Sequence, residues 1–271
     1  MDKRPIGIFD SGLGGLSAVR AMLKYLPNED IVYFGDTERV PYGTRSKKTI
    51  EKFAREDIAL LQGFDCKLIM AACGTVSAVA TEATANIKEP FVGVVKPASR
   101  AAVSATKNGK IGVMATSATI NSNAHVKEIK ALNPNASVFG VACPLLVSLV
   151  ENSWIDGDDF LVSEIIGRYT KGLTENGVDT IILGCTHFPH LAPIIQNVVG
   201  DGITLIDNGY EAVMEVKNIL VENTAQNAEN HRGKVKYFVS DEAQNFSEIA
   251  KTLLGRDISG EVRYKSAVAD E

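Results

Sequence analysis

The chain is short of the residues that build metal centres and disulfide frameworks, with four cysteines and four histidines in 271 positions. Cys66, Cys73, Cys143 and Cys185 contain no C-x-x-C pair, which argues against a zinc ribbon or a thioredoxin-type motif. The histidines form no H-x-x-x-H pair, and no metal is assigned. An excess of positive charge is also lacking. The net charge is -5 and the pI 5.5. The longest basic stretch is "TRSKK" at 44–48, so no nucleic-acid partner is expected. No apolar run approaches the ~20 residues of a membrane span. The opening "MDKRPIGIFD" carries two basic residues with no apolar segment after them, so it does not read as a signal peptide. These absences predict a cytoplasmic protein with reduced thiols and no membrane partner.

What is present is an ordinary globular composition, 45% hydrophobic and 23% charged, in a chain long enough for two α/β domains. "IGIF", "DIVYFGDT", "CKLIMAAC" and "FVGVV" are apolar strands. "LSAVRAMLKYL", "TIEKFAREDIALLQGF" (49–64) and "SAVATEATANI" carry helical spacing between them. Such alternation predicts a mainly parallel sheet flanked by helices.

The pattern then restarts. "KIGVMATSAT" (110–119) echoes "PIGIFDSGLG" (5–14), and "DTIILGCTHFPH" (179–190) echoes "CKLIMAACGTVS" (66–77). "SVFGVAC", a helix over 158–177, "APIIQNVVG" and "ITLID" complete a second unit. A helix "NGYEAVMEVKNILVEN", a strand "KVKYFVS" and a helix "NFSEIAKTLLG" follow. A spacing of about 105 to 112 residues is too long for a solenoid and fits a duplicated domain. The expectation is two pseudo-symmetric α/β domains with a cleft between them. The first is built from 1–97 plus 208–271, the second from 98–207.

Ligands of open parallel sheets bind beyond the carboxyl ends of the strands. "DSG", "CGT", "ATSAT" and "CTH" all fall there. Facing domains would bring Cys73 and Cys185 to one pocket, where two thiols can serve a carbanion from its two faces. A free thiol titrates near ~8.5, and a helix start favours the thiolate. Asp10 and His187 are ionisable groups able to tune the thiols or move their protons. The plain alternative is that a cysteine on an apolar strand is core, and Cys66 and Cys143 are read that way. "DSGLGG" is not G-x-G-x-x-G, so it reads as a strand-to-helix turn, with a phosphate cradle as the alternative. Ser11 offers a hydroxyl to a small anion. Thr75, Thr116, Thr119 and Thr186 are each helix caps or, together, neutral donors for a carboxylate.

Together, "IGIFDSGLGGLSAVRAMLKYLP", "YFGDTERVPYGTRS", "ACGT", "VACPLLVSLVE" and "ILGCTHFPHL" resemble the glutamate racemase family over nearly the whole chain. The resemblance implies a two-base mechanism with Cys73 and Cys185 as the acid/base pair. Asp10 and His187 would be their assistants, and Glu151 a further acid near the site. It implies substrate contacts at Asp10, Ser11, Tyr42, Gly43, Thr75, Thr186 and His187. It also implies glutamate as the small-molecule substrate, D-glutamate destined for peptidoglycan, no pyridoxal phosphate or metal, and a homodimer. One departure stands out: the family's usual Cys-Asn-Thr is Cys73-Gly74-Thr75 here. Gly74 loses a carboxamide, keeps a backbone N–H for the substrate, and is expected to leave extra room. Ser148 and Phe188 replace the common Pro and Tyr. Two rival readings are a sister racemase of aspartate or hydantoin, and a non-catalytic binding protein on the same fold.

Overall fold

A computed structural model describes residues 1–85, 87–156, 159–228 and 230–268. The first run comprises β1 (Ile6–Asp10), α1 (Leu16–Tyr25), β2 (Ile31–Gly35), α2 (Lys47–Gln62), β3 (Leu68–Ala71), α3 (Gly74–Val79), α4 (Thr81–Thr84) and β4 (Phe91–Gly93). Next, α5 (Val95–Ala105) leads to β5 (Lys110–Ala115), α6 (Ser117–Ser122), α7 (Ala124–Leu132), β6 (Ser137–Ala142) and α8 (Pro144–Glu151). The same run continues with α9 (Phe160–Glu175), β7 (Thr180–Leu183), α10 (Ala192–Val199) and β8 (Thr204–Asp207). The chain ends with α11 (Asn208–Glu222), β9 (Val235–Val239), α12 (Ala243–Leu254) and β10 (Val262–Tyr264).

Two sheets result, with strand orders β10-β9-β2-β1-β3-β4 and β6-β5-β7-β8. Every pairing among the described residues is parallel. The orders β2-β1-β3-β4 and β6-β5-β7-β8 are the same topology repeated. The sequence echoes fall on equivalent strands, β1 with β5 and β3 with β7. β1, β2, β3 and β7 are buried at every position, as continuous apolar runs in a sheet covered on both faces should be. The largest apolar cluster runs through both halves, from Ile8 and Leu16 to Leu183 and Phe188. The halves therefore share a core rather than touching at a polar seam.

Helix boundaries follow local chemistry. Ser46 caps α2 by accepting from the Thr49 N–H at 3.3 Å, and Asp159 caps α9 by accepting from Leu161 and Val162. Asp207 does the same for α11 through Gly209 and Tyr210. The helix expected over 77–87 divides at Ala80 into α3 and α4, and residue 86 lies outside the described residues, as does 158 at the start of the helix expected over 158–177. Helices α5, α7 and α8 and strand β10 were not anticipated from the sequence. Pro97 and Pro144 sit in the first turns of α5 and α8, where proline is tolerated rather than disruptive. α5 runs through position 97, the expected first boundary. No described helix is long and apolar enough to cross a membrane.

Candidate active site at the strand ends

Asp10 ends β1, Cys73 follows β3, Thr116 follows β5 and Cys185 follows β7. The loops at these carboxyl ends enclose one cavity of about 440 Å3, lined from both sheets. Asp10, Ser11, Tyr42, Gly43, Cys73, Gly74, Thr75, Thr116, Glu151, Cys185, Thr186 and His187 all line it. Its size falls in the range of small-molecule sites, roughly 300–1,000 Å3. Thr119 does not line it. It is buried behind Thr116, whose Oγ1 lies 3.0 Å from the Thr119 hydroxyl and caps α6 by accepting from the Thr119 N–H.

The two thiols sit in different electrostatic settings. Cys73 is buried at the start of α3, with Sγ 3.6 Å from Ser11 Oγ. Burial first, and the Asp10 carboxylate second, push this thiol up to about 12. The expectation that a helix start would favour the thiolate is thus reversed at Cys73, because desolvation outweighs the N–H groups of one short helix. Cys185 Sγ lies 3.5 Å from His187 Nδ1, and His187 Nε2 lies 3.1 Å from Glu151 Oε1. Burial alone would lower the His187 pKa. Cys185 and Glu151 on its two nitrogens outweigh this and raise it well above the usual value. The arrangement keeps a proton on the imidazole beside Cys185, where it can stabilise a thiolate.

The glycine-rich turn folds back onto the end of β1. Its Gly12 N–H donates to Asp10 Oδ2 at 3.0 Å, so the loop is turned onto its own carboxylate. Asp10 Oδ1 is buried with no partner among the described residues, and burial raises the Asp10 pKa. A side chain at Gly14 would collide with Thr186 and His187, so glycine there lets the loop of the first half seat against the "CTH" turn of the second.

Tyr42 contributes its loop rather than a free hydroxyl. Its hydroxyl is held by Asp36 and, at 3.1 Å, by Asp57 Oδ2. Arg39 bonds Asp36 at 2.6 Å, Asp57 at 2.8 Å and also Glu56, while stacking over Phe53. This buried network anchors the 40–44 wall of the cavity from behind. Sequence reasoning missed it because its members act only through long-range packing. It also missed Leu145 and Val147, which give the cavity an apolar wall from α8. The only signal for them was the "PLLVSLVE" run itself. Cys66 and Cys143 are buried and do not line the cavity, and burial pushes both up to about 12. No Arg or Lys lines the cavity among the described residues. Its polar lining is hydroxyls, backbone groups, Asp10, Glu151 and His187.

Two like α/β halves that each bring one thiol to a shared cavity define a two-domain α/β protein with a paired-cysteine site. Residues 6–216 match the Asp/Glu/Hydantoin racemase family. The chain is 41% identical to a glutamate racemase of Geobacter metallireducens, covering all of both chains. It is also 41% identical to one of Neisseria meningitidis serogroup A, over 94% of each. Among solved structures, the glutamate racemase isoform RacE1 of Bacillus anthracis superposes with a TM-score of 0.92 at 34% identity, covering 99% of both chains. The Francisella tularensis enzyme, solved with D-glutamate, gives 0.91 at 33% identity over 100% of both. The chain belongs to the Asp/Glu/Hydantoin racemase family.

Proposed function

We propose that the protein is a glutamate racemase that interconverts L- and D-glutamate with Cys73 and Cys185 as its two bases. The observation that carries this reading is the pair of thiols, one from each half, on one cavity with Asp10 beside Cys73 and His187 beside Cys185. The Cys185 thiolate, paired with the protonated His187, takes the α-proton from one face. The Cys73 thiol, kept protonated by its surroundings, delivers a proton to the other face. The product leaves with the thiols in exchanged protonation states, ready for the opposite enantiomer. Glu151 holds His187 in orientation and charge. The hydroxyls of Ser11, Thr75, Thr116 and Thr186, with the backbone of Tyr42, Gly43 and Gly74, are neutral donors for the substrate carboxylates. Asp10, whose Oδ1 has no hydrogen-bond partner among the described residues, suits the substrate ammonium.

The chemistry asks for no pyridoxal phosphate or metal, since the thiols supply both base and acid. Thr119 acts through Thr116 rather than on the substrate. The division into 1–97 plus 208–271 and 98–207 is proposed as the domain assignment; α5 crosses its first boundary, and the return of β9 to the first sheet supports the second. We further propose a cytoplasmic homodimer supplying D-glutamate for peptidoglycan. Four free cysteines support the reducing setting.

The test is L-glutamate in D2O, followed by proton NMR and circular dichroism. Loss of the α-proton together with decay of ellipticity to zero is the expected result. Cys73→Ala and Cys185→Ala should each stop racemisation in both directions. An active single variant overturns the two-base assignment. No exchange from either enantiomer overturns the choice of glutamate and turns the search to aspartate and hydantoins.

A further inference from the structure

Gly74 was expected to leave room where the family carries asparagine, and the structure fills that room. A Cβ at position 74 would overlap the carbonyl oxygen of Gly184 and lie 3.6 Å from the Cα of Cys185. The two residues that touch are therefore the neighbours of the two thiols: Gly74 follows Cys73 and Gly184 precedes Cys185. Gly184 is anchored to the neighbouring strand. Its N–H donates to the Met114 carbonyl of β5 at 2.7 Å. On its Cβ side Met114 O, Ala115 Cβ and His125 Nε2 all lie within 3.3 Å of where its own Cβ would stand. The seam continues one residue on, where Thr75 Oγ1 lies 3.0 Å from Thr116 Oγ1, tying α3 of the first half to α6 of the second.

We propose that Gly74 is a positioning residue for racemisation, setting the separation of Cys73 and Cys185 by letting one half rest directly on the Gly184 carbonyl of the other. The inference rests on the glutamate racemase reading above. A two-base reaction needs both sulfurs near one carbon at the same time, and productive geometries have reacting atoms roughly 3–3.5 Å apart. Spreading the strand ends lengthens at least one of those distances. A Cβ at 74 in this seam does this, because the obstacle is the backbone carbonyl just past β7, on a residue whose N–H is bonded to β5, rather than a flexible side chain. Asparagine would bring its carboxamide only together with a Cβ that this seam cannot hold. The ligand is met on this side by the Gly74 backbone and the hydroxyls of Thr75 and Thr116.

The experiment compares native protein with Gly74→Ala and Gly74→Asn, with kcat and KM measured from both enantiomers and the fold checked by near-UV circular dichroism. Displacement of a strand end by about 1 Å costs on the order of 10²-fold in turnover. That loss is expected in kcat for both variants, and KM should rise with it, because the Gly74 backbone and the Thr75 hydroxyl that face the substrate move with the strand end. A crystal structure of Gly74→Ala should show Cα73 and Cα185 farther apart. Unchanged kcat in Gly74→Ala, or a gain in Gly74→Asn, overturns the proposal. A second measurement needs no variant: in crystals of the native protein with D-glutamate, residue 74 should still abut the Gly184 carbonyl. A gap wide enough for a Cβ there overturns the proposal even if the variants do not fold. Native protein inactive on glutamate would instead sink the functional reading, so the two failures are distinguishable.

Discussion

Replacing Glu151 by glutamine keeps the shape of the side chain and removes its charge. In the structure Glu151 Oε1 lies 3.1 Å from His187 Nε2, and the Glu151 side chain is 32% exposed against 6% for His187. A hydrogen bond to a charged partner contributes ~1.5–3 kcal/mol, and partial exposure of the carboxylate points to the lower part of that range. A loss of about 1.5 kcal/mol in holding the imidazolium lowers turnover roughly tenfold. The sign of the pH effect follows from the same contact. Glu151 and Cys185 raise the His187 pKa against burial, so the working imidazolium is lost as pH rises through that raised value. Removing the carboxylate brings the loss to lower pH, and the alkaline limb of the rate profile moves toward neutrality. Racemisation has an equilibrium constant of one by symmetry, so kcat/KM must fall by the same factor from L- and from D-glutamate. The assay is initial rate by circular dichroism from each enantiomer across pH. A Glu151→Gln protein within twofold of native, with an unmoved alkaline limb, would refute the reasoning.

Stability offers independent checks. His125 is buried and its ring is lowered to about 4 by desolvation. Between that value and the ~6.5 of an unfolded histidine, the unfolded chain holds a proton that the folded one refuses. Stability should therefore fall as pH drops, by ~2 kcal/mol at pH 5 from this residue. Urea unfolding of native and His125→Gln proteins should give a flatter acid slope for the variant, and equal slopes would count against the assignment. Lys67 Nζ lies 2.5 Å from Glu29 Oε2, with side chains 1% and 2% exposed. Lys67→Met leaves a buried carboxylate uncompensated and should cost ~3–5 kcal/mol. A thermal scan should show a drop of roughly 10 °C, and a shift of only a degree or two would mean that the pair is solvated.

Much of the architecture was legible because parallel strands advertise themselves. "IGIF", "LIMA" and "TIIL" are uninterrupted apolar runs, and the duplication carried each strand end to its counterpart. The helices that went unread, α5 and α8, begin with prolines in their first turns, which local reading treats as breaks. α7 follows directly on Asn123, whose φ of 55° turns the chain between two helices. Strand β10 is a three-residue edge, too short to carry a pattern.

By itself the sequence determined which residues stand at strand ends, since that depends only on local hydrophobic pattern and turn chemistry. It thereby named Cys73, Cys185, Asp10 and His187 before any fold was known. Only the tertiary structure decided how those ends meet. His187 and Glu151 are 36 positions apart and pair through the packing of α8 against the loop after β7. Tyr42 donates its hydroxyl to Asp36 and Asp57, which the fold brings to it from β2's end and from α2. Gly74 faces a carbonyl 110 residues away, and that contact turned an expected gap into a filled seam. Secondary structure follows from short-range sterics and periodicity, which any window of the chain displays. Thiol separation, carboxylate protonation and cavity shape depend on distances between residues far apart in sequence, and these exist only once the two halves share a core.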